Sequence, residues 1–271
     1  MSAVNFAMLL IFACAGLAQG ADPPARVVSL APNLTQMVLS LGAENRLVAV
    51  TPFCEAPTAI PRLPGGIQPE AEAIVGLSPD LVLATPLTPS IIRTQLKALG
   101  FRVEIVDATS LEGIRSSISR LAGILGIAAP GNPAPTAAQT GSTAVLLFGA
   151  NTGYSAARGT HAHEILEAAG LRNIAADTAG PWPQLGEEVL LAADPDYIIV
   201  ADYGAATSQD VLANLRSQPV RRHLAAVRND RVIVFPAEAF SIPGPEALHA
   251  AEKLRAAIHS LPAPSPRGRN S

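Results

Sequence analysis

The chain has 271 residues, of which 49% are apolar and 15% charged, with a formal net charge of −3. That length holds two lobes of ordinary domain size, and that composition excludes a disordered chain. The charge excludes a nucleic-acid binder, which needs a basic footprint.

Residues 6–18 form an apolar run too short to span a bilayer, and Ala18-Gln19-Gly20 follows with the small-x-small pattern of a signal-peptidase site. The reading is a secretory signal peptide over 1–20 and a mature chain from Ala21. Cys14 raises a lipoprotein alternative, but Phe12 fits the small-residue pattern of such sites poorly. Once the signal is cleaved, Cys54 is the only cysteine and no internal disulfide can form.

A strand over 27–30 opens the mature fold. Asn33 or Thr35 is the expected cap of a helix over 35–41 that stops at Gly42. A second strand covers 47–50, and the Pro-rich stretch 51–69, with Phe53 and Cys54, reads as a rim loop. A short helix from Glu72, a strand over 80–84, a helix over 90–99 and a strand over 103–106 complete the first lobe. Strands alternating with helices of this length imply a mainly parallel sheet covered on both faces. Leu111, Ile114, Ile118, Leu121 and Leu125 recur at helical spacing and predict a helix over 110–126. Pro130, Pro133 and Pro135 then forbid its continuation.

The second lobe repeats the plan: a strand around 145–148, an exit loop 149–155, a helix over 161–169 capped by Thr160, and a loop 179–184 carrying the only Trp. A helix from Gly186, a strand over 231–235 and a helix over 246–261 follow, before a frayed tail from 262. The organisation is therefore an N-terminal lobe 21–109, a bridging helix and Pro-rich linker 110–142, and a C-terminal lobe 143–271.

Two stretches carry the duplication. Glu72-Ala-Ile-Val-Gly-Leu-Ser-Pro79-Asp80 and Glu188-Val-Leu-Leu-Ala-Ala-Asp-Pro195-Asp196 each place a Glu seven positions before a Pro-Asp pair, and an apolar strand follows. Each reads as a short helix ended by a Pro-Asp turn. Two similar α/β lobes make the cleft between them the natural ligand site. Loops that follow strands supply its candidates: Pro32 and Asn33, Phe53, Tyr154, Trp182, and the segment from Glu238 to Phe240. Aromatics are scarce, at 4%, so each one near the cleft counts. His161 and His163, two apart on a helix, point about 200° apart and cannot share an ion. The expectation is an exposed pair at the helix start and no bound metal. The chain has no Gly-x-Ser-x-Gly elbow and no phosphate-cradling glycine loop, so it is not read as an enzyme.

The pattern resembles the periplasmic substrate-binding proteins of importers for vitamin B12, haem and ferric siderophores. The likeness runs from Arg26 to about Leu261 through Arg26-Val-Val-Ser-Leu-Ala-Pro-Asn33, Ser78-Pro-Asp-Leu-Val-Leu83, Val106-Asp-Ala-Thr-Ser-Leu-Glu112 and Pro181-Trp-Pro-Gln184. It is strongest toward the vitamin B12 binders. It implies two similar lobes joined by a single bridging helix, and a cobalt- or iron-containing chelate as cargo rather than cofactor. Cobalamin or a related corrinoid is the first expectation. A ferric siderophore, haem, or a ligand-less signalling or scaffold role on the same fold are the alternatives. The partner it implies is the membrane permease of an ABC importer, met by a monomer through Glu72 on one lobe and Glu188 on the other. Phe53 and Tyr154 match family contact positions. Two departures stand out. The bridging helix is short, roughly 25 Å for its 17 residues, which predicts larger hinge motion. Gly65-Gly66-Ile67 stands where B12 binders carry a Trp.

Overall fold

The computed structural model describes residues 22–66, 68–131, 140–204 and 206–264. The expected signal peptide, Cys14, Ile67, Pro133, Pro135 and the end of the tail lie outside those residues. Among the described residues, no helix is long and apolar enough to cross a membrane.

Two four-stranded parallel sheets form the frame. The first contains β1 (Val27–Ser29), β2 (Leu47–Val50), β3 (Leu81–Ala84) and β4 (Val103–Ile105) in the order β2-β1-β3-β4. The second contains β5 (Thr143–Phe148), β6 (Arg172–Asn173), β7 (Tyr197–Asp202) and β8 (Val232–Pro236) in the order β6-β5-β7-β8. The two orders are the same, so each lobe is a copy of one plan.

The duplicated Pro-Asp pairs do the same job in both lobes. Asp80 Oδ2 accepts hydrogen bonds from the backbone N–H of Ala25 at 3.0 Å and Arg26 at 2.9 Å, just before β1. Asp196 Oδ2 accepts from the Thr143 N–H at 2.8 Å and the Thr143 hydroxyl at 2.9 Å, where β5 opens. Each carboxylate fixes the start of the strand that pairs with its own. This sets the register Val27↔Leu81 in one sheet and Ala144↔Tyr197 in the other.

Strand alternation divides the core. Val28, Val82 and Ala84 face a cluster private to the first lobe, with Ile74 and Leu96. Val145, Leu147, Ile198 and Val200 face a second private cluster with Leu190 and Leu215. The opposite faces do not stay apart. Val27, Leu81 and Leu83 of one sheet and Leu146, Ile199 and Ala201 of the other belong to a single continuous core.

Helices fill the space between the sheets. The bridging helix α4 (Leu111–Leu125) contributes Ile114, Ile118 and Leu121 to the shared core. Helix α10 (Pro245–His259) packs on α1 (Pro32–Ser40), α4, α5 (His161–Ala168) and α9 (Glu238–Ser241). Ser110 caps α4 by accepting from the Gly113 N–H at 2.9 Å, and Gly126, at φ 64°, closes it. Arg46 then binds the Leu125 carbonyl at 2.6 Å, so the helix end is tied to the first lobe. The connection is as short as the sequence implies. Both lobes bury side chains in one core with this helix, and separating them fully would expose it.

The remaining helices, α2 (Ala71–Gly76), α3 (Ser90–Ala98), α6 (Glu187–Ala193), α7 (Ser208–Ser217) and α8 (Ala225–Arg228), cover the outer faces. Helix α1 starts earlier than expected. Pro32 occupies its first turn after Ala31, and no side chain caps it. Neither Asn33 nor Thr35 is the cap; the Thr35 hydroxyl donates instead to Ser29 Oγ at 2.8 Å.

Candidate ligand-binding cleft

Loops leaving the C-terminal ends of both sheets meet in one cleft, the place where open α/β sheets bind ligands. Its first-lobe half, of about 570 Å³, is walled by Pro32 and Asn33 after β1, Phe53 after β2, Leu87 after β3 and Asp107 after β4. The second-lobe half, of about 310 Å³, is walled by Phe148 at the end of β5, Tyr154, Ser155 and Tyr203. Trp182 lines both halves.

Trp182 is held by its loop and by its neighbours. Ser155 N–H donates to the Pro183 carbonyl at 2.9 Å, Ala157 N–H to Pro181 at 2.9 Å, and Leu185 N–H to Gly153 at 2.8 Å. These bonds zip the Trp loop onto the exit loop of β5. Gly153 is required for that closeness, since a Cβ there would sit 2.2 Å from the Leu185 carbonyl oxygen. The exit loop is fixed from behind by Arg221, which is buried. Its guanidinium donates to Glu187 Oε1 at 2.7 and 2.9 Å and to the carbonyls of Ala150 and Thr152 at 2.6 and 2.9 Å. The indole packs edge-on against Phe148, with centroids 5.7 Å apart, and against His161 at 6.3 Å. It remains 45% exposed, so one part is anchored and another faces the cleft. An aromatic with so little freedom loses little entropy on binding.

The histidine pair corrects the expectation. His161 and His163 are buried, at 3% and 4% exposure, not displayed at a helix start. Burial pushes the His161 pKa down to about 4, opposed by a hydrogen bond to the Phe240 carbonyl, and its Nε2 has no partner. Burial also lowers His163, whose Nδ1 lies 3.2 Å from Asn173 Nδ2. Among the described residues, no three His, Cys, Asp or Glu side chains are grouped to hold a metal ion.

The structure brings Pro32, Asn33, Phe53, Tyr154 and Trp182 to the cleft wall, with Phe53 57% exposed there. It does not bring the other two. Phe240 is fully buried against Phe235, with ring centroids 5.8 Å apart, and presents no face to a ligand. Glu238 lines two neighbouring grooves, one with Gln36, Glu55 and Lys253 and one with Asp202 and Tyr203, but neither half of the cleft itself. Both follow β8, but the chain turns at once into α9, whose last residue Ser241, rather than Glu238 or Phe240, reaches the second-lobe half. Sequence reasoning missed Leu87, Asp107, Ser155 and Tyr203. Applying the strand-exit rule to every strand would have reached Leu87 after β3 and Tyr203 after β7. Ser155 needed the pairing with the Trp loop, which no local pattern shows. Gly66 lines the first-lobe half near the position of the absent Trp.

Glu72 and Glu188 occupy the second position of α2 and α6, and both are exposed. Adjacent Glu187 is committed to Arg221, which leaves Glu188 as the outward member of the pair. Its carboxylate curls over Gly186, where a Cβ would meet Oε1 at 2.2 Å.

A sequence model of the periplasmic binding protein family matches residues 127–239. A cobalamin-binding protein of Halobacterium salinarum is 32% identical over 265 residues, covering 88% of this chain and 70% of that protein. The chain belongs to the periplasmic binding-protein family. Within the family, the periplasmic vitamin B12-binding protein of Vibrio cholerae superposes with a TM-score of 0.68 at 24% identity, over 88% of this chain and 98% of that one. A periplasmic haem-binding protein of Pseudomonas aeruginosa gives 0.68 at 26% identity, over 89% and 95%. The shared architecture is the pair of α/β lobes described above, and the family's members are binding proteins.

Proposed function

We propose that the protein is a periplasmic receptor that captures cobalamin or a related corrinoid between its lobes and delivers it to an ABC importer. The observation that carries this reading is Trp182, pinned by its loop where it lines both halves of the cleft, with Phe53 in the first-lobe half and Tyr154 beside it in the second. A bulky, mostly apolar chelate needs flat aromatic surfaces and a few polar groups at its rim, and the cleft supplies both. The cobalamin-binding name of the Halobacterium relative supports the choice of guest. In this reading the mature chain begins after the signal peptide 1–20 and acts as a monomer without catalysis. Glu72 and Glu188 engage arginines of the permease, where two separated carboxylates fix orientation.

A second reading, haem or a ferric siderophore, is favoured by one feature: Tyr154 and Tyr203 stand together in the second-lobe half, and a tyrosine oxygen can ligate ferric iron. Titration of the purified protein with cyanocobalamin, haem and a ferric siderophore panel, read by Trp182 fluorescence, decides between them. Saturable quenching by cyanocobalamin at one equivalent is expected. Silence toward all of them would refute both readings and leave a ligand-less scaffold.

A further inference from the structure

The cleft is apolar in most of its wall, and the charges it lacks are as informative as the rings it has. Among the described residues lining its two halves, Asp107 is the only charged side chain, and no Lys, Arg or His is present. Of the cations near the wall, Arg93 stands outside it at the first-lobe rim, where its Nε donates to the Thr88 carbonyl at 2.9 Å, and two others are used or switched off. Arg221, behind the exit loop of β5, is consumed by Glu187 and two carbonyls. His161, behind Trp182, is kept neutral by burial. A carboxylate entering this space gives up its hydration and meets no compensating charge, while Asp107 repels it.

Among the described residues of the wall, one fully buried side-chain atom has no hydrogen-bond partner. Ser155 is fully buried, lines the second-lobe half beside Tyr154 and Trp182, and its hydroxyl has no hydrogen-bond partner. Its backbone N–H is already given to Pro183, so the residue is fixed while its Oγ is free. A hydroxyl donates and accepts, and a carboxamide offers both complements without carrying charge. Burying that amide against Ser155 satisfies two groups at once.

Building on the receptor role proposed above, we infer that the cleft selects its guest by charge: it takes uncharged chelates with carboxamides at their periphery, refuses those with carboxylates, and uses Ser155 to receive an amide. A corrinoid, whose ring edge carries carboxamides, fits this rule. Haem, with two propionates, does not.

The test uses the mature protein and a set of cobalamins, each with one peripheral carboxamide hydrolysed to a carboxylate, beside haem, a neutral ferric hydroxamate and an anionic ferric catecholate. Calorimetry is expected to show at least one hydrolysed isomer bound about 10-fold or more weakly than cyanocobalamin, with the two anionic iron chelates unbound. Ser155→Ala should weaken cyanocobalamin about 5- to 10-fold, but not further weaken the isomer that has lost the matching amide. Its thermal stability without ligand should be unchanged or raised, since the hydroxyl has no partner to lose. Leu87→Arg, which places a cation on the exposed rim, should narrow the gap between carboxylate and amide forms. Equal affinity for every isomer, tight binding of haem, or a Ser155→Ala protein that binds cyanocobalamin unchanged would each overturn the inference. If cyanocobalamin fails while the neutral hydroxamate binds and the catecholate does not, the corrinoid reading falls and the charge rule stands.

Discussion

Replacing Asp196 by alanine removes the carboxylate that accepts from both the Thr143 N–H, at 2.8 Å, and the Thr143 hydroxyl, at 2.9 Å. Both residues are buried, at 7% and 3% exposure, so water cannot readily take over the role. A hydrogen bond to a charged acceptor is worth about 1.5–3 kcal/mol. Two bonds sharing one oxygen, with the donors left in a dry site, put the loss at about 3 kcal/mol. The equivalent change at Asp80 removes two similar bonds, of 3.0 and 2.9 Å, but this carboxylate is exposed and water replaces it. That loss is about 1 kcal/mol. Urea unfolding followed by circular dichroism should separate the two variants by about 2 kcal/mol. Thermal melts should place Asp196→Ala roughly 6–12 °C below the parent. Equal losses at the two sites would refute the argument that burial, not the duplicated motif itself, sets the energy.

Other consequences follow from the cleft and its support. Between pH 6.5 and about 4 the unfolded chain protonates at the His161 position while the folded chain refuses the proton. Stability must therefore fall as pH drops through that window, by about 3 kcal/mol at its lower end; His163 acts in the same direction. His161→Phe should flatten the pH dependence, and an unchanged slope in urea unfolding would contradict the assignment. Gly153→Ala drives a Cβ to 2.2 Å from the Leu185 carbonyl oxygen and should unzip the Trp loop. The expected result is a loss of about 1–3 kcal/mol in stability with Trp182 more accessible to acrylamide, and wild-type quenching would count against the close approach. Glu72→Ala combined with Glu188→Ala should leave ligand affinity intact and abolish uptake into cells; a loss of ligand affinity would remove the docking role.

Much of the frame is legible because it is encoded locally. The runs 81–84 and 197–201 are apolar on both faces, as a central parallel strand requires. Ser110 and Gly126 mark the ends of α4 by the chemistry of helix caps. The boundary of α1 was misplaced because Pro32 serves as a helix starter there, while Thr35 is drawn to Ser29. Two kinds of fact were out of reach, and both depend on contacts between distant segments. His161 and His163 stand at a helix start, where exposure is expected, yet the Trp182 ring and Asn173 pack against them. Phe240 follows a strand closely, as Phe53 does, but α9 turns it into the core.

Duplication accounts for the division of labour across the cleft. The repeated units supply strand order, the Asp-anchored strand starts and one acidic residue at the second position of α2 and of α6, all of which are the same in both lobes. The strand-exit loops carry no such constraint, because they face the cleft and not the shared core. They have diverged: the first lobe offers prolines, Leu87, the single ring of Phe53 and the polar Asn33 and Asp107, while the second offers Phe148, Tyr154, Trp182 and Tyr203. An asymmetric guest, with one face more apolar and another edged with hydrogen-bonding groups, matches that difference better than a symmetric one.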